Sequence, residues 1–414
     1  MRLSIKFSLF LILFFSACVS FAKLGFESTE HLASGKNIKL FFSKDDPGQT
    51  DVAFKLSNGL IIKYHEMLGM GDFYEVEGKT IADGKTVEDQ QRNFIGAFNS
   101  LALLPNSLNE ANEILRIIHE EQKEVETGMN RGEKPEDIYK RVSLKHDREW
   151  NCITGGGCEP ESWWLTPGRY MKLATQDFDH FGENAWVAYQ IGHKIALQTA
   201  MAAHAKQDKP TLAVAYAMDA FASHFLSDRF AAGHMRTPRF SLATKVSPSV
   251  VGSVLAGYMH GEENHNGLHV SNKNGDQWLA FGDKKYFDLE SKINNEMLEK
   301  ALQESINQIF QTYLTGELPT TDTIGNMIPY PYEVKNNSER DIATLFYLDE
   351  KTGIIYRRSD VSNLHDKHWT KHWWGWSTLI LLSSQRGIPE FAKTQLLAAG
   401  LKNEAEAHGI NLTR

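Results

Sequence analysis

The stretch Ala217-Met-Asp-Ala-Phe-Ala-Ser-His224-Phe-Leu-Ser-Asp228-Arg-Phe-Ala-Ala-Gly-His234-Met-Arg-Thr-Pro-Arg239 sets the terms for the rest of the chain. It has no helix breaker before Gly233, so it reads as a helix with His224 and Asp228, four residues apart, on one face. His234 follows a glycine, where the chain can turn back towards that face. Two imidazoles and a carboxylate suit zinc, which takes nitrogen and oxygen ligands at about 2 Å. A carboxylate set between imidazoles can also bridge two ions.

Histidine is concentrated around this helix. Of 16 histidines, eight fall between His180 and His269. Single histidines have plainer readings: His193 is expected in the core, and His204 and His269 in exposed positions or loops. Upstream, His180 opens a helical pattern, preceded by Asp179, which would cap it. Downstream, His260 and Asn264 stand four apart, with Glu262, Glu263 and His265 as rivals. His31 adds an imidazole near the start of the chain. Asp72, in Gly71-Asp72-Phe-Tyr74, would alone be read as a turn residue. Arg236 and Arg239 flank His234 and either bind an anion or make surface or helix-end contacts.

The pattern around these residues is mostly helical. Amphipathic runs cover Val87–Leu104, Ser107–Gly128 and Leu289–Leu314. Arg169–Ala231 is nearly continuous helix, broken at Gln207-Asp-Lys-Pro210. Gly132–Gly168 is polar and turn-rich, and Asn264–Phe287 reads as a loop. After Pro319 the composition shifts to short extended stretches such as Ile354–Tyr356, with a last helix within Ile388–His408. The expected fold class is therefore mostly α, a multi-helix bundle with a smaller C-terminal region of mixed structure.

Length and composition agree with a globular protein that buries a full core: 414 residues, 42% hydrophobic and 23% charged. Arg2 and Lys6 precede an apolar run, Phe7–Ala17, and Ser20-Phe-Ala22 resembles a small-x-small cleavage site, the layout of an export signal. The expected location is secreted or periplasmic, with cleavage after Ala22. Cys18 leaves lipid attachment as a weaker alternative. The other cysteines, Cys152 and Cys158, flank a flexible Ile-Thr-Gly-Gly-Gly and are expected to pair in an oxidising compartment. No other apolar run is long enough for a transmembrane segment. The net charge of -8 argues against a stable nucleic-acid partner that relies on a basic face.

The His-xxx-Asp-xxxxx-His spacing of His224, Asp228 and His234 resembles the zinc-dependent phospholipases C and the related fungal single-strand nucleases. Gly71–Tyr74, Asp179–Gly182, Ala220–Asp228, Gly233–Arg239 and Gly267–Gly275 are similar to the bacterial phospholipase C group of Legionella and Pseudomonas type. The resemblance spans roughly residues 25 to 290. It implies a helical domain over 23–318, after a signal at 1–22 and before a C-terminal region at 319–414, with three zinc ions. His224 would join Asp72 and His180 on one ion. Asp228 would bridge that ion to another held also by His31. His234 and His260 would hold the third, completed by Asn264 or Glu263. The family archetypes place Glu or Asp where Asn264 stands, and use an N-terminal Trp amine where cleavage here exposes Lys23. The gap between Asp72 and His180 is longer, as if an insertion held the cysteine loop.

The implied reaction is phosphodiester hydrolysis, with Asp72 and Asp228 as catalytic carboxylates and Arg236 and Arg239 on the phosphate. The implied partner is phospholipid at a membrane surface, cut to diacylglycerol and a phosphorylated headgroup. His368-Trp369-Thr-Lys-His372-Trp373-Trp374-Gly-Trp376 suits a lipid interface or an aromatic core. Two other readings remain open: a secreted nuclease or phosphatase on the same scaffold, and a non-enzymatic membrane-binding protein with structural zinc.

Overall fold

The computed structural model describes residues 27–76, 78–176, 178–333 and 341–412. The expected export signal and Cys18 lie outside the described residues. The chain is mostly helical, with fifteen α-helices and three small sheets among the described residues.

Two long helices form the central hairpin. Gly182–Lys206 and Lys209–Asp228 are joined by Gln207, at φ 50°, and Asp208. Pro210 sits in the first turn of the second helix, where its missing N–H costs nothing. From Asp219 to Asp228 that helix is buried all round. Its neighbours are Gly182–Lys206, the short helix Tyr64–Leu68 and the long helix Lys292–Thr315. A helix buried on every face must satisfy its polar side chains internally. Asp219 does so with His193 Nδ1 at 2.6 Å and Ser305 Oγ at 2.9 Å. His193 is buried there, as expected for a core histidine.

Three departures from the sequence reading matter. Gly132–Gly168 contains a full helix, Pro135–Ile153, whose apolar positions Ile138, Tyr139, Val142 and Trp150 are diluted by charge. The Asn264–Phe287 loop contains an antiparallel hairpin, Leu268–Ser271 paired with Gln277–Ala280. The C-terminal region has a further helix, Gly375–Arg386, ahead of Glu390–Ala398 and Lys402–Ala407.

That region builds a second core. Trp376, Leu379 and Leu396 pack with Leu242, Val251, Leu255 and Met259 from the Arg239–Lys245 and Ser249–Asn266 helices. Trp376 is buried, while Trp369 and Trp373 donate their indole N–H groups to the carbonyls of Thr344 and Ile355. Trp374 is 52% exposed. The tryptophan run is thus mostly core, with one indole turned to solvent. Cys152 and Cys158 form a disulfide at the end of the Pro135–Ile153 helix, with Cα atoms 4.7 Å apart. No helix among the described residues is long and apolar enough to cross a membrane.

Candidate metal centre

Asp228 ends the central helix and is completely buried. Its Oδ2 lies 2.7 Å from His180 Nδ1 and 3.5 Å from His224 Nε2. Its Oδ1 lies 3.3 Å from His234 Nδ1 and 3.6 Å from His31 Nε2. Four imidazoles from four separate segments therefore surround one carboxylate.

The local structure explains each arrival. The helix Ser28–Gly35 carries His31. His180 precedes the Gly182–Lys206 helix, but Asp179 does not cap it. Its carboxylate instead accepts the backbone N–H groups of Ile81 and Ala82, which pins His180 in place. After Asp228 the chain reverses through Phe230 and Ala231, and the short helix Ala232–Met235 returns His234 to the same carboxylate. Asp72 comes from the turn after Tyr64–Leu68, and its Oδ1 is 3.7 Å from His224 Nε2. Gly71 permits this, because a Cβ there would overlap the His224 ring.

Proton positions favour a cation. His224 Nδ1 is 2.6 Å from the carbonyl of Leu68, which can only accept, so Nδ1 carries the proton. The Ser227 hydroxyl donates to the carbonyl of His224 and must accept from His31 Nδ1 at 2.7 Å. Both rings therefore present an Nε2 lone pair to the buried carboxylate, an arrangement that is repulsive until a positive charge lies between them. Burial pushes the Asp228 carboxyl above its ordinary range, against the pull of His180 and His224. Burial, reinforced by His260, His180 and His224, holds His234 well below the usual imidazole range and so neutral.

The spacing agrees as well. Two ligands about 2.0–2.1 Å from a tetrahedral zinc ion stand about 3.3–3.4 Å apart. The separations of 3.5 Å and 3.7 Å from His224 Nε2 to Asp228 and Asp72, and of 3.3 Å from His234 to Asp228, bracket that edge length. Three groups have donors close enough to share an ion: His31, Asp72 and His224; His180, His224 and Asp228; and His234, His260 and Asp283. These buried clusters can hold metal ions.

Asp283 corrects the expected third group. Asn264 does not fill a ligand position: its Oδ1 accepts the N–H of Gly233 at 2.6 Å and its Nδ2 faces His260 Nε2 at 3.0 Å. Glu263 pairs with Arg236 Nε at 2.7 Å, and burial raises its carboxyl to about 7. Asp283 Oδ2 instead lies 3.1 Å from His260 Nε2. Oδ1 of Asp283 and Oδ1 of Asp228 are buried with no hydrogen-bond partner among the described residues. The Leu268–Ala280 hairpin delivers Phe281-Gly282-Asp283 beside Asn264, where a Cβ on Gly282 would overlap the Asn264 amide. Glu30 then holds the next turn by accepting the N–H groups of Lys284 and Tyr286 at 3.1 Å and 3.2 Å. The only sequence signal for Asp283 was a Gly-Asp pair in a stretch rich in both.

The arginines also need revision. Arg239 is buried, and its guanidinium donates to the carbonyls of Ser253 and Ala174, both at 2.9 Å, so it braces helices rather than facing a phosphate. Arg236 is partly exposed but committed through Nε to Glu263 and through Nη2 to the carbonyl of Ile342. No family model, curated protein or solved structure matches this chain.

Proposed function

We propose that this protein is a zinc-dependent phosphodiesterase of the phospholipase C kind, with up to three ions held by His31, Asp72, His180, His224, Asp228, His234, His260 and Asp283. The observation that carries the reading is the ring of four imidazoles about the buried Asp228 carboxylate. The resemblance of the His224, Asp228 and His234 spacing to the phospholipase C pattern supplies the reaction class. Zinc bound here would polarise a phosphoryl oxygen and lower the pKa of a bound water.

The chain's own residues would do the rest. Asp72 is the least enclosed carboxylate of the cluster, its side chain 11% exposed. The Ser28 hydroxyl donates to its Oδ2 at 3.1 Å and leaves Oδ1 directed towards His224. Asp72 is thus placed to take the proton of the attacking water. The water oxygen bonds to phosphorus, the phosphorus–oxygen bond on the glycerol side breaks, and the glycerol oxygen leaves protonated. Asp228 stays ionised between the imidazoles and fixes the spacing of the donors.

A lipid substrate draws support from the C-terminal region, where Tyr347, Ile354, Trp374 and Leu381 are exposed. The Cys152–Cys158 disulfide favours an oxidising location, secreted or periplasmic. The test is a hydrolysis assay of the purified mature chain on vesicles of choline, ethanolamine and glycerol phospholipids. Single-stranded DNA and a phosphomonoester run in parallel, with zinc content measured and chelator controls. Diacylglycerol that appears with zinc and disappears with chelator supports the proposal. Full zinc occupancy with no diacylglycerol on any lipid sinks it, and cleavage of DNA or the monoester alone moves the protein to the nuclease or phosphatase reading.

A further inference from the structure

A cavity of about 110 Å³ separates the Pro135–Ile153 and Arg169–Gln176 helices from the C-terminal helix Glu390–Ala398. The proposed hydrolysis makes no use of it. Tyr139, Trp163, Tyr170 and Phe391 line it, together with Gln395. Gln395 is only 3% exposed, and its Nε2 and Oε1 are both buried without a hydrogen-bond partner among the described residues. A buried amide left in that state is destabilising, and a same-shaped apolar side chain would serve packing better. An orphan amide on the wall of an apolar cavity is what a binding site looks like before its ligand arrives.

We infer that this cavity binds a small neutral molecule carrying one ring and a paired donor and acceptor, as in a primary amide. The chemistry of the walls sets each part of that description. Gln395 offers one donor and one acceptor side by side, so a ligand amide satisfies both at once. The aromatic walls suit a ring. Asp147 and Glu390 also line the space, and the lining cation, Lys140, is already 3.0 Å from Glu136, so an anionic ligand is disfavoured. The volume sets the size, because an apolar cavity of about 150 Å³ admits one benzene ring. A diacylglycerol does not fit. The rim includes Leu144, which is 39% exposed and gives the ligand a way in.

Benzamide is the probe, with benzoate and benzene as comparators, titrated by calorimetry and ligand-observed NMR into the purified mature chain with its metal content intact. Benzamide is expected to bind saturably at one site, and benzoate at least about tenfold more weakly because of its charge. Gln395→Leu should weaken benzamide by at least about tenfold, yet melt no lower than wild type in the absence of ligand. Leu144→Trp, at a position open to solvent, should close the mouth and abolish binding without unfolding the chain. Absence of saturable benzamide binding overturns the inference, as does binding that both variants leave unchanged. A Gln395→Leu protein that melts lower, combined with no benzamide binding to wild type, assigns the amide to trapped water and also overturns it.

Discussion

Ser227→Ala tests the metal centre without touching a ligand. The Ser227 hydroxyl donates to the carbonyl of His224 and accepts the Nδ1 proton of His31, which turns the His31 Nε2 lone pair towards Asp228. Replacing it with alanine removes the acceptor while leaving all eight proposed ligands in place. Loss of such a supporting partner costs about 10–100-fold in metal affinity. At about 1.4 kcal/mol per factor of ten, that is roughly 1.4–2.8 kcal/mol. The metal-free protein should lose about 1 kcal/mol, the net value of an ordinary hydrogen bond. Competition titration against a chromophoric chelator gives the affinities, and urea unfolding of the metal-free protein gives the stability term. Unchanged affinity in Ser227→Ala, alongside a measurable loss of metal-free stability, would refute the claim that proton placement on His31 readies it for a cation.

Asp283→Asn should lower zinc content per chain, whereas Asn264→Ala should keep the metal. The latter should lose about 1–3 kcal/mol of stability because the Gly233 N–H is left buried without its acceptor; elemental analysis and melting curves separate the two. Gly71→Ala drives a Cβ into the His224 ring and should cost both metal and turnover, and wild-type zinc affinity in that variant would contradict the packing described. Glu263 has a folded-state pKa raised by burial from 4.5 to about 7, so its stabilising contribution is fully present below 4.5 and is lost as pH rises through about 7. Glu263→Gln should therefore flatten the stability profile in that window, checked by urea midpoints across it.

His224, Asp228 and His234 were legible in the sequence because their relation is local: helix spacing aligns the first two, and a glycine turn returns the third. The helical class was legible for the same reason, since periodicity in runs such as Val87–Leu104 survives without tertiary context; the structure has Val87–Ala102 there. Asp283 was not legible. It reaches the centre only because a hairpin at Leu268–Ala280 and the Glu30 carboxylate place its turn, and both are long-range facts. Asn264 misled for a related reason: its spacing from His260 is right for a ligand, but its oxygen faces the Gly233 N–H rather than the imidazole. Arg239 shows the limit of charge as a guide, since a guanidinium beside His234 in sequence turned out to brace two helices.

The carboxylate at the end of the central helix also has a consequence for how the chain matures. Its donors are drawn from the first described helix, from the turn after Tyr64–Leu68, from both arms of the helical hairpin and from the loop that ends at Asp283. No contiguous fragment contains a complete ligand group, so an ion has nothing to grip until nearly the whole domain has closed. Conversely, closing it without an ion forces lone pairs and buried carboxylates together. Free metal then acts as a folding ligand, favouring the native state in proportion to the logarithm of its concentration. The folded population, and not only the turnover rate, would then report how much zinc the surroundings contain.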